Sequence, residues 1–381
     1  MHRSFKFRMY PNKEQQVFID KILDSCRFVY NYYLAAYKQS KSQKNNLTID
    51  SCIQNLKANL IKEYQNLEEV ENYLLIKTIY RLFDNIKKQS QTKKVLPQYK
   101  SKNIRNSITI QNTYNSIQNS DNIVLDLRKH TIKFINSSLI PIRGYNKIKR
   151  INGKIINATI SKEPNGKYYI SVLYKLPDIN RITSPKTIVG LDIGVKNLIT
   201  QSDGIIHLNN KYIEKYEKRI KKCQKELSRK QKGSNNYYKC KLNLSKLHTK
   251  LKNARKYHLH KITKHIVTNY DVIACEKLDV ENMINKSNLS KKILDATFAE
   301  IIKQLRYKSQ NYGKYFYQVP KFYPSSQICS ICNNINRKYK DLTLRTYKCD
   351  KCNNIIDRDL NASINIMNEG LKTYMANIKI N

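Results

Sequence analysis

Two pairs of cysteines near the end of the chain constrain its folding most strongly. Cys329 and Cys332 are separated by two residues, as are Cys349 and Cys352, and sixteen residues lie between the pairs. Four thiolates at this spacing can complete a tetrahedral shell for one Zn²⁺ ion, as in a zinc ribbon. Because the protein supplies all four ligands, we expect a structural ion. The alternative, four free thiols close in sequence by chance, is disfavoured by the spacing.

The other cysteines follow a different pattern. They lie mostly on apolar faces of predicted helices or strands, where a thiol behaves as a small hydrophobic side chain. We therefore predict core positions for Cys26, Cys52, Cys223, Cys240 and Cys275. The odd total of nine cysteines, and a first segment without the apolar stretch of a signal peptide, predict a reducing, cytoplasmic location.

The charge of the chain predicts its class of partner. Lysine and arginine total 71 against 29 acids, which gives a formal net charge of +42 over 381 residues. A compact protein with this imbalance repels itself, and a bound polyanion would relieve the repulsion. The basic residues are spread along the chain, which predicts nucleic-acid contact over several faces. An acidic membrane surface is disfavoured, because the chain shows no amphipathic anchor and no lipidation signal. No segment approaches the ~20 apolar residues that span a bilayer.

The first half of the chain is predicted to hold helices inserted into a β-domain. Alternation predicts a strand over 4–10, and apolar residues at helical spacing follow a capping pattern at Asn12. Two further helices are predicted over 49–62 and 68–89. From residue 104 the period changes to two, which predicts a small antiparallel barrel that the first strand could join. Its other predicted strands are 107–111, 122–127, 131–136, 155–162 and 167–175.

From about residue 185 the pattern is that of an α/β unit. A long basic helical hairpin is predicted over 208–268, broken near Gly233, and a last helix is predicted after Asp359. Another helix is predicted over 290–309. The predicted strands are 187–191, 196–201, 271–275 and 314–319.

Acidic residues stand at the ends of these predicted elements. Asp192 and Glu276 each terminate an apolar strand, and Asp357 and Asp359 precede the last helix. Acids beside buried strands are costly unless they are paired or metal-bound. Three carboxylates from separate segments can hold two Mg²⁺ (or Mn²⁺) ions ~3.5–4 Å apart, as in two-metal nucleases. Taken singly, each acid equally fits a cap or a turn, so the joint pattern carries the prediction.

Basic residues in the first half are candidates for nucleic-acid contact. Lys77 and Arg81 lie on the predicted helix 68–89, and Lys100 and Lys102 lie in the polar segment that follows it. We predict that these four side chains contact phosphates.

Five stretches of the chain match motifs of one known protein family. They are the opening MHRSFKFRMYPNKEQQ, GLDIGVKNL (190–198), IACEKLDVENM (273–283), SSQICSIC with YKCDKC, and DRDLNASINI (357–366). Through them the chain resembles the TnpB family of transposon-encoded RNA-guided nucleases, which are related to type V CRISPR effectors.

The resemblance implies an α+β multidomain fold with a helical recognition lobe over 11–103. It implies a small antiparallel β-barrel from 1–10 and 104–180. It also implies an RNase H-like (RuvC) α/β nuclease domain over 185–381, with a zinc ribbon inserted at about 322–356.

The resemblance also assigns the site. It implies that Asp192, Glu276 and Asp359 are the catalytic acids and hold the two Mg²⁺ (or Mn²⁺) ions, with Asp357 as the second choice for the third acid. The chain departs from the family at Lys277, which replaces an acid commonly found there and leaves the triad complete.

A second departure lies in the zinc ribbon. Asn333 and Asn353 each follow a cysteine pair where glycine is usual in the family. Asparagine tolerates a positive φ better than most residues, so we expect both turns to form.

The function implied is RNA-guided cleavage of target DNA next to a short flanking motif, with a guide RNA from the transposon end and a single RuvC site. An RNA-guided DNA-binding repressor and a DNA strand-transfer transposase are the alternatives. We expect a nucleoid-associated protein that does not bind membranes, with a monomer on one RNA favoured.

Overall fold

The computed structural model divides into two compact units, unit 1 (Met1–Asp178) and unit 2 (Ile179–Asn381). No helix within the described part of the chain is long and apolar enough to cross a membrane. The structure describes residues 1–43, 47–91, 96–101, 106–115, 120–144, 151–278, 297–341 and 343–379.

In chain order, the helices of unit 1 come between its first and second strands. Helix α1 begins at Asn12 with the predicted capping box, in which the Asn12 side chain accepts from the Gln15 backbone and the Gln15 side chain accepts from the Asn12 backbone. The predicted helix over 49–62 is interrupted by a π-helical stretch, Leu56–Leu60. The α-helices are α1 (Lys13–Ser42), α2 (Ile49–Asn55), α3 (Ile61–Glu63) and α4 (Asn72–Gln91).

The predicted antiparallel barrel is present in unit 1 as a nearly closed sheet. Its strands are β1 (His2–Met9), β2 (Asn106–Gln111), β5 (Ile123–Asp126), β6 (Thr131–Phe134), β7 (Ile140–Arg143), β8 (Lys154–Lys162) and β9 (Tyr168–Lys175), and the short pair β3 (Tyr114–Asn115) and β4 (Ser120–Asp121) lies beside them. The order is β2-β8-β9-β1-β7-β6-β5. The open edges approach each other where the Asn122 backbone donates to the Thr113 carbonyl oxygen at 3.0 Å.

Strand β1 occupies the middle of this sheet, between β9 and β7. Phe5, Phe7 and Met9 alternate into a core shared with the helices of unit 1. Strand β7 was not predicted, because it is four residues long and contains Pro141, which cannot donate to a strand ladder.

Unit 2 is built on a five-stranded sheet of order β12-β11-β10-β13-β14. Strands β10, β13 and β14 are parallel, and β11 and β12 are antiparallel to their neighbours. The strands are β10 (Ile188–Asp192), β11 (Asn197–Gln201), β12 (Ile206–Leu208), β13 (Val272–Glu276) and β14 (Tyr315–Val319). A separate hairpin joins β15 (Thr346–Lys348) to β16 (Ile355–Asp357).

The helices of unit 2 include the predicted basic hairpin. Ser234 caps its second arm by accepting from the Tyr237 backbone. The predicted helix over 290–309 begins at Phe298 in the described part, and residues 290–296 lie outside the described residues. The helices are α5 (Tyr212–Ser228), α6 (Asn235–Asn269), α7 (Phe298–Asn311) and α8 (Arg358–Lys379).

Two glycines allow α8 to lie directly on the sheet. A Cβ atom at Gly190 would stand 2.0 Å from the Ser363 carbonyl oxygen, and one at Gly370 would stand 2.3 Å from the Ala274 Cβ. Both distances are far below van der Waals contact, so no larger residue fits without moving the helix. This close packing fixes where the first residues of α8 lie relative to β10 and β13.

Candidate active site and zinc ribbon

The first two predicted acids lie side by side at one edge of the unit 2 sheet. Leu191 pairs with Cys275 across the parallel strands β10 and β13. Asp192 and Glu276 are the next residues, and both strands end there. Two carboxylates are therefore held at the carboxyl ends of adjacent parallel strands.

The electrostatics of Asp192 show that the third acid belongs to the same environment. Burial raises the pKa of Asp192 well above its ordinary value, and the nearby charges of Glu276 and Asp359 raise it further. Burial also raises the pKa of Glu276, while the Ser325 hydrogen bond and the Arg358 charge oppose that rise. The carboxylates thus repel one another in a site poorly screened by water, which is the condition a bound cation relieves.

The structure separates the roles of Asp357 and Asp359. Asp357 is exposed, and its Oδ1 accepts the backbone N–H groups of Asp359 at 2.9 Å and Leu360 at 3.0 Å. It therefore caps the first turn of α8. Asp359 instead lies with its Oδ1 3.6 Å from Arg345 Nη1, and its Oδ2 accepts from Asn197 Nδ2 at 3.5 Å.

Two side chains around the acids were missed by the sequence analysis. The Ser325 hydroxyl donates to Glu276 Oε1. Arg358 is only 6 % exposed, donates to Ser326 Oγ at 3.4 Å, and leaves its Nε without a partner among the described residues. Both residues lie inside quoted motifs, SSQIC and DRDLNAS, so proximity to a motif was a usable signal. Asn197 and Arg345 carried no comparable signal.

The donor set of the acids fits a hard divalent cation. All three offer carboxylate oxygens, which Mg²⁺ and Mn²⁺ prefer. Their ligand atoms are less tightly grouped than those of the zinc ribbon, because in the described residues only the four cysteines have ligand atoms that all lie within 4.8 Å of one another. Contacts with Ser325 and Arg345 occupy oxygens of Glu276 and Asp359.

The four predicted cysteines converge on one point. Cys329 Sγ lies 3.6 Å from Cys352 Sγ, and Cys332 Sγ lies 3.5 Å from Cys349 Sγ. Tetrahedral coordination with Zn–S bonds of about 2.3 Å places sulfurs about 3.8 Å apart, so the cluster fits Zn²⁺. Backbone N–H groups of Cys352 and Lys351 lower the pKa of Cys349 to about 6, which favours the thiolate that zinc requires.

The prediction for the two asparagines that replace glycine is confirmed. Asn333 has a φ of 57° and Asn353 a φ of 55°, both in the left-handed region. Each turn is closed by a backbone hydrogen bond to the first cysteine of its pair, at 3.0 Å for Cys329 and 3.1 Å for Cys349.

Buried amides fasten the start of the zinc ribbon to α8. Asn361 Nδ2 donates to the Ile328 carbonyl oxygen at 2.7 Å, and its Oδ1 accepts from the Ser330 backbone at 2.9 Å. Asn365 Nδ2 donates to the carbonyl oxygens of Ser325 at 2.8 Å and Ile328 at 2.7 Å. The segment that carries Ser325 is thereby attached to the helix that carries Asp359.

The predicted nucleic-acid contacts in unit 1 remain predictions. Lys77 Nζ lies 5.5 Å from the Tyr80 ring centroid, and Arg81 donates to the Ser107 carbonyl oxygen at 3.0 Å. Lys100 Nζ lies 3.4 Å from the centroid of Tyr30, and burial lowers its pKa to about 7. Lys102 lies outside the described residues.

Three family models match the chain. One described as "Probable transposase" (OrfB IS605) covers residues 171–287, a Cas12f1-like TNB domain covers 298–366, and a helix-turn-helix domain of OrfB IS605 covers 1–45. The chain thus contains OrfB IS605 domains of the TnpB family. In the described part of 1–45 it has one strand and one long helix.

Known relatives extend over almost the whole chain. A Streptomyces pristinaespiralis protein named "Putative RNA-guided DNA endonuclease" is 27% identical over 97% of this chain and 89% of its own length. "Putative RNA-guided DNA endonuclease InsQ" of Escherichia coli K12 is 26% identical over 97% of this chain and 92% of its own. A Cas12f1 structure, solved as a complex with sgRNA and target DNA, aligns with a TM-score of 0.62 and 16% identity over 93% of this chain and 83% of its own. The chain therefore has a Cas12f-like fold.

We expect Cys349→Ser to abolish stoichiometric zinc and lower the melting temperature, because a structural zinc site contributes directly to folding. Zinc content by elemental analysis and thermal unfolding measure both effects. The core position predicted for Cys223 was wrong, because this cysteine is half-exposed on α5. Since it lies outside the cluster, Cys223→Ser is the matched control. Full zinc content in Cys349→Ser would contradict the assignment.

We expect the stability of wild-type protein in magnesium-free buffer to fall as pH rises from about 4. The folded state keeps a proton on Asp192 that the unfolded chain releases above the ordinary pKa of 3.8, so the unfolded state binds fewer protons in this range. Asp192→Asn should remove much of this fall and raise the melting temperature at pH 8 by roughly 2–4 °C or more. Thermal unfolding from pH 4 to 8 tests it, with Asp357→Asn as the control. Identical pH profiles for wild type and Asp192→Asn would refute it.

We expect Ser325→Ala to weaken divalent-cation binding by roughly 10–100-fold, the usual cost of losing a side chain that orients a ligand. The hydroxyl holds one Glu276 oxygen and opposes the rise of its pKa. Mn²⁺ binding followed by electron paramagnetic resonance measures the loss without relying on activity. Ser330→Ala is the control, and equal Mn²⁺ affinity in the two variants would contradict the role of Ser325.

Proposed function

We propose that the chain is an RNA-guided DNA endonuclease that hydrolyses phosphodiester bonds at a single site formed by Asp192, Glu276 and Asp359. The observation that carries the proposal is the placement of two acids at the ends of adjacent parallel strands, with the third brought into the same electrostatic environment by α8. Relatives that match nearly the whole chain bear the name of RNA-guided DNA endonucleases, which supports it.

The topology of unit 2 supports the interpretation of residues 185–381 as an RNase H-like (RuvC) domain. Three consecutive antiparallel strands are followed by two parallel ones. Asp192 ends the first of these strands in chain order, and Glu276 ends the fourth. The zinc ribbon then lies within this domain, at about 322–356. We assign the barrel to 1–10 and 104–180, and a helical recognition lobe to 11–103.

Asp192, Glu276 and Asp359 would hold two Mg²⁺ (or Mn²⁺) ions. When bound, such ions activate a water molecule and stabilise the leaving 3′-oxygen of the cleaved strand. The protein's own contribution is orientation. Ser325 fixes one oxygen of Glu276, while Asn197 and Arg345 hold the carboxylate of Asp359 near the strand ends.

Arg358 would act on the same site without touching the substrate. Its buried positive charge lowers the pKa of both Asp192 and Glu276 and so favours the ionised carboxylates that bind cations. Its side chain also donates to Ser326, at the start of the zinc ribbon. We assign it as a positioning residue.

The partners we propose are a guide RNA from the transposon end and a target DNA. The net charge of +42 is suited to a large polyanion. The Cas12f1 relative in fold was solved with both kinds of nucleic acid. Base pairing with the guide would supply sequence specificity, and the protein would read a short flanking motif. We propose a monomer on one RNA, acting in the cytoplasm on the nucleoid.

We expect Asp359→Asn to reduce cleavage by about 10²-fold or more, because it removes a charged metal ligand. Asp357→Asn should stay within a few-fold of wild type, since asparagine caps a helix as well as aspartate does. The assay uses protein with its co-purified RNA, a target matched to that RNA, a library of flanking sequences, and Mg²⁺.

Three outcomes would count against the proposal. Wild-type protein that binds the matched target without cutting it under any flanking sequence would indicate a repressor. Joining of a free 3′-end without RNA would indicate a transposase. A larger loss in Asp357→Asn than in Asp359→Asn would transfer the third role to Asp357.

A further inference from the structure

One outer face of the unit 1 barrel combines cations with exposed tyrosines. Because side chains alternate along β1, Phe7 and Met9 point into the core while Arg8 points outward and Tyr10 follows on the same side. Arg8 pairs with Arg143 of β7 and with Tyr169 of β9. We call Arg8, Tyr10, Arg143 and Tyr169 the cation–tyrosine face.

Tyr10 is the centre of this face. The guanidinium carbon of Arg8 lies 4.5 Å from the centroid of the Tyr10 ring, and that of Arg143 lies 5.3 Å from it. The ring is nevertheless 36 % exposed. Its backbone is held by a hydrogen bond from the Tyr10 N–H to the Pro141 carbonyl oxygen at 2.9 Å. The ring is thus fixed in place and still open to a ligand.

A cavity of about 610 Å³ opens beside the ring, lined by Tyr10, Lys129, His130, Pro141, Ile142 and Arg143. The turn between β5 and β6, which lines one side of the cavity, is held by local hydrogen bonds. Asp126 Oδ1 accepts the backbone N–H groups of Arg128 at 2.8 Å and Lys129 at 2.9 Å, and His130 has a φ of 54°. The side chains of Lys129 and His130 are exposed there. A cavity of this size accommodates a nucleotide.

The cations of the face and of the cavity form no salt bridge in the described part of the chain, where no carboxylate pairs with Arg8, Lys129 or Arg143. Glu163 pairs instead with Lys6 at 3.2 Å. Asp126 is close enough to Lys129 for that charge to contribute to lowering the Asp126 pKa. The Nε of Arg8 is buried without a hydrogen-bond partner in the described part of the chain. The segments of unit 1 outside the described residues, 44–46, 92–95, 102–105, 116–119 and 145–150, contain no Asp or Glu.

We propose that the cation–tyrosine face and its cavity bind an unpaired nucleotide of the guide RNA, with the base stacked on Tyr10 and the adjoining phosphates bound by Arg143 and Lys129. The inference rests on the proposed function, since it concerns the RNA partner. A ring flanked by cations recognises a planar base attached to anionic phosphates. RNA loops and bulges offer unstacked bases to aromatic side chains, whereas bases within a target duplex are already stacked.

The test separates stacking from charge. Variants Tyr10→Ala, Tyr10→Phe and Arg143→Gln are compared with wild type for binding of the RNA that co-purifies with the wild-type protein. Lys154→Gln is the matched charge control, because Lys154 is exposed on β8 and pairs with Lys175, which lies opposite His2 at the other end of β1. Affinity is measured across a salt series, and chemical probing identifies the protected nucleotides. Thermal unfolding verifies that each variant is folded.

We expect Tyr10→Ala to weaken RNA binding about 10-fold with an unchanged salt slope, and Tyr10→Phe to stay within about 2-fold of wild type. Arg143→Gln should weaken binding and reduce the salt slope by about 0.7 for one lost phosphate contact. Lys154→Gln should do neither. One nucleotide protected in wild type should become reactive in Tyr10→Ala.

Unchanged affinity and protection in Tyr10→Ala would overturn the proposal, as would an equal effect of Lys154→Gln. A loss confined to a single-stranded dT12 probe, with RNA binding intact, would assign the face to a DNA strand and overturn the RNA assignment. Because the readout is binding alone, a protein that never cleaves DNA would contradict the proposed nuclease while leaving this result standing.

Discussion

Repulsion among carboxylates at the edge of one sheet is the constraint on which unit 2 depends. Asp192 and Glu276 are forced together by the register of two parallel strands, and burial raises the pKa of both. Such a site is costly to fold without a compensating charge. Arg358, buried beside the acids, offsets part of that cost in the protein itself, and a divalent cation would offset more.

The zinc ribbon belongs to the same arrangement. Its first segment provides Ser325 to one acid and Ser326 to Arg358, and two buried asparagines of α8 hold that segment in place. Gly190 and Gly370 then allow α8 to sit against the strands that carry the other acids. The cysteine cluster and the set of acids are therefore mechanically connected through one helix.

In unit 1, the alternation of side chains along β1 separates core packing from surface charge. The inward residues of β1 build the core, the outward ones contribute charge, and Tyr10, directly after the strand, adds an exposed ring. The same eight-residue strand thus stabilises the barrel and presents a surface suited to a polyanion. Charge that would destabilise a free protein becomes useful when it is aligned on one face.

Features that depend on local spacing were predictable from the amino-acid sequence. The cysteine spacing predicted the sulfur cluster, the period of two predicted the barrel, and Asn12 predicted the start of α1, because each is encoded by residues close together in the chain. The positive φ values of Asn333 and Asn353 were likewise predictable from residue chemistry. Strand β7 was missed because it is short and contains a proline. It is recognisable only in the folded chain, where it pairs with β1 and β6.

The way in which distant residues share one site became visible only in the folded chain. Asp357 and Asp359 are two residues apart and indistinguishable by composition, yet one caps α8 and the other lies near Arg345 and Asn197. Ser325 and Arg358 gain their roles from contacts across the fold, and Lys100 lies against Tyr30, which its sequence position did not indicate. Such contacts depend on the packing of whole elements, which no local pattern of residues encodes.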